Sequence, residues 1–556
     1  MKKYISIVLL FILIGQAKAQ SYTKLADSAL RIMWDAKDTV GYRQSLNLYQ
    51  KAFQLYPKKV NALGLYKAAV LAGELKELDK AFEYLEQLLA INTTQTTTWS
   101  SLTSKYVQSE YKNLLDDKRW LALAQKAQQM KAAFFKHLKD QQAAFETGGL
   151  KQLDLTKAKD GQQAYQLIQS YQGFQHKKSV SYSIRFKVAD STYTSYFVSL
   201  PRNYNPKKSY PVLFFLHGAV QGNSLSEFQN ESVLGDWNRY YTKYAALNEV
   251  IMVYPKGSKK YNWMNPDDGF FMIPAMLKEI KQAINVDDNK VFITGHSNGA
   301  TGSFSYLMKQ QSPFAGFYGF NTQPKVRTGG TFIRNIANRS YFNVSTDEDY
   351  YYPPDANDSL NVIMKSIKAD YQDHRYNGWP HWFPQFDESE PVYPMIFKDI
   401  ATRNRPAFKP SIYWECDDVK YGRADWVQIN QLDTLSQPAA WHQNINFNIY
   451  KLLSYKKDSL VTTDTLVKAF NFPRKSGVVK GTYQNNVFRL ETSAVKGISV
   501  FISPQMVDMN QPVTVYVNGV KKVSRKPIYN KELIIAGFKD TYDRKAIWVD
   551  ELKIDF

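Results

Sequence analysis

One cysteine, Cys416, stands among 556 residues. No intrachain disulfide can form, so packed cores must hold the chain together. No apolar run is long enough to cross a bilayer. The net charge is +20, yet the lysines are scattered over the whole chain and no run of five or more basic residues occurs. This points to a solvated cationic surface with, at most, weak attraction to acidic polysaccharide, rather than to a nucleic-acid partner. H-E-x-x-H, Cys/His ligand spacing and an EF-hand loop are all missing. The chemistry is therefore expected to need no metal, and no cofactor is expected.

What is present begins with a leader. Lys2 and Lys3 precede an apolar run over residues 4–14, and Ala17-Lys18-Ala19 supplies the small residues of a cleavage site before Gln20. Residues 1–19 read as a secretory signal peptide, which makes the product periplasmic or secreted. Glycine and proline are almost absent from the periodic runs of residues 20–148, whose spacing is helical throughout. Tyr49, Ala52, Leu55 and Pro57 recur as Leu85, Leu88, Ile91 and a helix end at Asn92, an offset of about 36 residues. The module resembles tetratricopeptide helix pairs, whose period is near 34. It is either a protein-binding stack or a spacer. Residues 149–178, punctuated by glycine, read as a connector with a helix over 162–171.

From residue 179 the periodicity changes. An alternating hairpin over 180–200 leads into apolar runs at 212–216, 250–254, 291–294, 314–320 and 341–344, interleaved with helical spacing. Strands of this kind are buried on both faces, as in a doubly wound α/β sheet. Beyond residue 397 the pattern is β to the end, with runs at 412–415, 426–429, 487–490, 498–502, 513–517 and 546–554. Asn518-Gly519 marks a type I′ hairpin. Residues 405–556 are expected to form a small β-sandwich, which leaves 179–404 as a catalytic domain.

The chemistry is concentrated in Gly295-His296-Ser297-Asn298-Gly299, a G-x-S-x-G nucleophile elbow preceded by a β run and followed by helical spacing. A serine on so sharp a turn leaves no room for Cβ atoms two positions away on either side, hence Gly295 and Gly299. Its hydroxyl is inert alone and needs a base and an oxyanion site. The order Ser, acid, His leaves three downstream histidines. His381, in a loop rich in Gly, Pro and aromatics, is the choice for base; His374 is flanked by charge and His442 falls in the β-rich tail. The acid should follow residues 341–344. Asp347, Glu348 and Asp349 follow there, with Asp349 and Asp347 the two candidates carried forward. For the oxyanion hole, Asn298 supplies one backbone N–H, and the second comes from the loop at His217-Gly218-Ala219, from either Ala219 or Val220.

With these motifs assembled, residues 180–400 resemble the α/β-hydrolase superfamily. They are most similar to the secreted esterases related to polyhydroxybutyrate depolymerase, feruloyl esterase and acetylxylan esterase. Lys290 stands where those members carry arginine, and Pro380-His381-Trp382-Phe383-Pro384 stands for their G-H-x-W-P loop. The resemblance implies a carboxylic-ester hydrolase working through Ser297, His381 and Asp349 and an acyl-enzyme. Its substrate would be an ester, with acylated polysaccharide a candidate, and Trp379, Trp382 and Tyr351 would flank the pocket. The same scaffold supports serine peptidases, and a scaffold that only binds glycan or protein is the reading from another class.

Overall fold

The computed structural model describes residues 21–91, 96–456 and 459–556. The leader over residues 1–19, the Gln20 start and the helix end at Asn92 lie outside them. The chain forms two compact units, Met1–Asp140 and Gln141–Phe556.

In the first unit, helices Tyr22–Asp35, Thr39–Leu55, Ala62–Glu74 and Leu78–Ala90 follow one another, each successive pair in contact. Ser21, Asp38 and Asn61 start the first three, each side chain accepting the backbone N–H three residues on, which satisfies a donor the helix leaves orphaned. Leu46, Tyr49, Ala68, Leu71, Leu85 and Leu88 share one buried cluster. Among the recurring positions, Tyr49, Ala52, Leu85 and Leu88 are buried while Leu55 is exposed. Helix Lys118–Glu146 runs past the boundary into the second unit. Among the described residues no helix is long and apolar enough to cross a membrane.

The second unit is built on an eight-stranded sheet. Its strands are β1 (Ser181–Ala189), β2 (Thr192–Ser199), β3 (Tyr210–Leu216), β4 (Ile251–Pro255), β5 (Val286–Gly295), β6 (Gly316–Phe320), β7 (Ser340–Glu348) and β8 (Tyr371–Pro380). They are ordered β1-β2-β4-β3-β5-β6-β7-β8. β2 is antiparallel to both neighbours, and every pairing from β4 to β8 is parallel. Alternate residues of one strand feed opposite faces, as the pleat requires. Val212, Phe214 and Leu216 of β3 join the cluster that takes in helices Met272–Ala283, Asn298–Lys309 and Pro354–Ser366. Leu213 and Phe215 join the one beneath helices Arg239–Leu247 and Val392–Thr402. With helices on both faces the strands are apolar throughout, which is why their sequences read as runs.

The rest is mostly strand: β9 (Ser411–Cys416), β10 (Arg423–Ala424), β11 (Val427–Leu432), β12 (Asn448–Lys456), β13 (Ser459–Lys468), β14 (Gly477–Gln484), β15 (Val487–Ser493), β16 (Val495–Ile502), β17 (Val513–Val517), β18 (Val520–Arg525) and β19 (Asp550–Asp555). A five-stranded sheet, β18-β17-β15-β14-β9, and a four-stranded one, β10-β11-β16-β19, contribute Trp414, Ile429, Phe488, Val500, Val515 and Leu552 to one core. Asn518 and Gly519, with φ of 51° and 82°, make the turn between β17 and β18. The pattern is not β to the end, however. Helix Lys531–Thr541 interrupts it, because the apolar triplet Leu533-Ile534-Ile535 reads as strand while the helix buries only Ile534 and Phe538 fully. These pack on Ala164 and Ile168 of helix Gly161–Ser170, so the segment read as a connector is part of a core. Buried ion pairs join segments flanking the eight-stranded sheet to the C-terminal part: Lys309 to Asp417 at 2.6 Å, Arg339 to Asp425 at 2.6 Å and Arg405 to Asp543 at 2.6 Å.

Candidate functional site

β5 runs down the middle of the sheet and ends at Gly295, and helix Asn298–Lys309 starts directly after Ser297. Ser297 has φ 57° and ψ −122°, a conformation costly for a residue with a Cβ and characteristic of functional turns. The glycines are demanded by space. A Cβ on Gly299 would lie 1.7 Å from the Leu216 carbonyl oxygen, and one on Gly295 would lie 2.4 Å from the Gly299 carbonyl carbon. The turn is pressed against the end of β3, and its serine is left half-buried.

The expected base and acid meet. His381 Nδ1 lies 2.6 Å from Asp349 Oδ1, both buried. A carboxylate can only accept there, so Nδ1 carries the proton and Nε2 is left with its lone pair. Burial pushes the Asp349 carboxyl above its ordinary range, opposed by His381 and the backbone N–H groups of Tyr351 and Tyr352. β8 extends to Pro380, so His381 hangs directly off a strand end rather than in an irregular loop.

Two other histidines, His296 and His217, are clamps. His296 Nε2 donates to the His381 carbonyl at 2.7 Å, helped by Asn321 Nδ2 on the same oxygen at 2.7 Å. Burial lowers the His296 pKa to about 3, so it stays neutral. His217 Nδ1 donates to the Gly218 carbonyl at 2.7 Å and its Nε2 accepts the Gly257 N–H at 3.1 Å, and burial lowers its pKa to about 4. Ser297 Oγ makes no hydrogen bond with His381 among the described residues. The two are neighbours through His296, whose ring is 4.8 Å from that of His381.

The loop after β3 offers two N–H groups, and one is taken. Asn298 Oδ1 accepts the Val220 N–H at 3.1 Å. Ala219, in the left-handed region with φ 52°, keeps an N–H with no partner among the described residues, as does the Asn298 backbone. A Cβ on the adjacent Gly218 would stand 3.1 Å from the Ser297 Cβ, which puts this loop against the Ser297 turn. Asn298 Nδ2 reaches on to the Tyr351 hydroxyl at 2.9 Å, where Thr301 also bonds at 3.1 Å. The Asn298 side chain thus ties the β3 loop to the loop of Asp349 and Tyr351. Nothing in the sequence flagged that side chain or Asn321, because both act through single hydrogen bonds to backbone or hydroxyl groups far along the chain.

The remaining candidates separate. The Tyr351 ring is 5.3 Å from the His381 ring, and Trp382 is half-buried beside it. Trp379 turns to Phe383 and Phe386, at 5.4 and 5.1 Å, in the packing under the loop. Asp347 accepts the Gly378 N–H at 2.7 Å. His374 stacks on Phe342 at 4.4 Å, and His442 lies between Ser493 and Glu415 at 3.0 and 3.1 Å in the β-rich part.

No family model matches the chain. A 114-residue stretch is 28% identical to the Aspergillus flavus protein named "Probable feruloyl esterase C", covering 20% of this chain and 40% of that protein. Its namesake in Aspergillus oryzae matches equally. The chain thus spans 40% of the length of these curated relatives. Among solved structures, one described as a thermostable esterase superposes with a TM-score of 0.33 at 20% identity, over 41% of this chain and 64% of that one. Another, described as a ferulic acid esterase, gives 0.32 at 18% identity, over 39% and 97%.

Proposed function

We propose that the chain is an exported serine hydrolase of the α/β-hydrolase superfamily that cleaves carboxylic esters, with acylated polysaccharide as the candidate substrate; the strand order of the sheet and the 114-residue likeness to a protein named as a feruloyl esterase support this. The observation that carries this is the 2.6 Å pair of His381 Nδ1 and Asp349 Oδ1 beside a serine held at positive φ. Ser297 Oγ attacks the ester carbonyl while His381 Nε2 takes its proton. The oxyanion is received by the N–H groups of Asn298 and Ala219, since that of Val220 is already engaged. The alkoxide leaves with the proton from His381, and water then repeats the sequence on the acyl-enzyme. Asp349 fixes the tautomer and offsets the imidazolium, and because burial has raised its carboxyl it gains most when that cation forms.

In this reading residues 1–19 are a signal peptide. The helix pairs of residues 20–148 form a tetratricopeptide-like module, and residues 405–556 form a β-sandwich. The shared buried core of the two C-terminal sheets supports the last of these. Fluorophosphonate labelling tests the nucleophile. Labelling is expected on Ser297, lost in Ser297→Ala and strongly slowed in His381→Ala, with His374→Ala near normal. Ready cleavage of peptide amides with weak action on aryl esters would make the enzyme a peptidase, and no labelling would make the domain a scaffold.

A further inference from the structure

β12 and β13 pair only with each other among the described residues. An isolated two-stranded ribbon is marginal in water and needs something to lie on. Here β12 lies on helix Pro354–Ser366, and Ile449 enters the same cluster as Leu360 and Met364 of that helix. A segment of the C-terminal part is thus set against the helix that follows the Asp349 loop. At its far end Tyr455 is half-buried while Lys451, Leu452 and Lys456 are exposed. The Tyr455 ring sits 5.8 Å from that of Tyr350 and 5.5 Å from that of Trp382, and Tyr350 is 4.8 Å from His381.

The position of this cluster relative to the reacting bond gives it a meaning. The imidazole that returns a proton to the departing alkoxide stands on the alcohol side of the ester. Rings gathered around His381 therefore flank the alcohol, while the Ala219 and Asn298 N–H groups address the carbonyl oxygen. Neither the Tyr350 and Tyr455 hydroxyls nor the Trp382 indole N–H has a hydrogen-bond partner among the described residues. The cluster combines apolar ring surface with free polar edges, a pairing that suits a sugar ring, whose C–H face packs on aromatics and whose hydroxyls bond.

We propose that Tyr455, delivered by the β12–β13 hairpin, completes with Tyr350 and Trp382 a shelf that selects esters whose alcohol is a sugar ring. This rests on Ser297 and His381 acting as nucleophile and base. The test is the ratio of kcat/KM for a xylose acetate to that for ethyl acetate, which share the acyl group and differ in the alcohol. Tyr455→Ala should lower the ratio about three- to tenfold, the range aromatic contacts support. Tyr455→Phe should retain most of it, and Tyr450→Ala, exposed elsewhere on the same strand, should leave it unchanged. An unchanged ratio in Tyr455→Ala, whether both activities hold or fall together, overturns the shelf and leaves the ester reading intact. A wild-type protein that is inert toward both acetates and also takes up no fluorophosphonate overturns the two together; one that is labelled but inert toward the sugar acetate overturns the shelf alone.

Discussion

Two buried aspartates in the second unit have opposite surroundings. Asp349 is 1% exposed and Asp543 6% exposed. Asp349 meets one imidazole and backbone N–H groups, and burial drives its carboxyl upward. Asp543 is desolvated too, but the Arg405 guanidinium at 2.6 and 3.1 Å and the Lys281 ammonium at 3.6 Å hold its carboxyl well below the ordinary range. Burial alone does not set the state of a carboxylate; the fixed cations beside it do. At Asp543 the charge is matched permanently, which makes a rivet. At Asp349 it is left under-matched, which in the proposed mechanism suits a cation that exists only during turnover.

The sharpest way to break this comparison is to neutralise each carboxylate. Asp349→Asn should lower kcat by about 10⁴-fold, the effect of losing the orienting carboxylate from such a triad, as read by aryl-ester hydrolysis at saturating substrate. The variant should be no less stable at pH 7, because it removes an ionised group that burial disfavours. Asp543→Ala should do the reverse. Leaving Arg405 and Lys281 without their shared partner should cost about 3–5 kcal/mol of unfolding free energy, measured by urea denaturation, with kcat per folded molecule preserved. If Asp543→Ala instead loses activity at full stability, the division between rivet and site fails.

A pH series sharpens the contrast. A depressed carboxyl contributes stability above the unfolded pKa of about 3.9, and that contribution is lost as pH falls below it. The Tm advantage of wild type over Asp543→Asn should therefore shrink below about pH 4. The raised Asp349 carboxyl has the opposite sign. Its penalty is absent below the ordinary carboxyl range and grows as pH rises through its folded value, so Asp349→Asn should gain on wild type toward neutral pH. The smallest effect is expected at Asn298. Asn298→Ala frees the buried Val220 N–H and should reduce kcat/KM roughly tenfold, within the 1–3 kcal/mol that an unsatisfied buried donor costs.

The same contrast governs what could be read from the sequence. Gly295-His296-Ser297-Asn298-Gly299, the β3 and β5 runs and the Asn518-Gly519 turn were legible because each is set by local rules of space and alternation. That Asp349 and not Asp347 meets His381 was suggested only by the resemblance of its spacing from Pro353 to that in related esterases. The rivets were not, since Lys309 and Asp417, or Arg405 and Asp543, are over a hundred residues apart and carry no periodic signal. β8 escaped because its residues are polar and largely half-buried at the sheet edge. β12 and β13 escaped because a ribbon exposed on most of both faces has no alternation to display.

Helix Lys531–Thr541 clasps helix Gly161–Ser170 across 360 intervening positions. At Gly161 the fit is so close that a Cβ would fall 2.1 Å from the Tyr529 carbonyl oxygen. During synthesis the earlier helix must wait, its apolar side unoccupied, until nearly the whole unit has been made. Such long-range closure is slow and leaves aggregation-prone intermediates. Assembly of this unit therefore ends with a latch rather than beginning with one, and anything that delays the last hundred residues leaves the first ones uncovered.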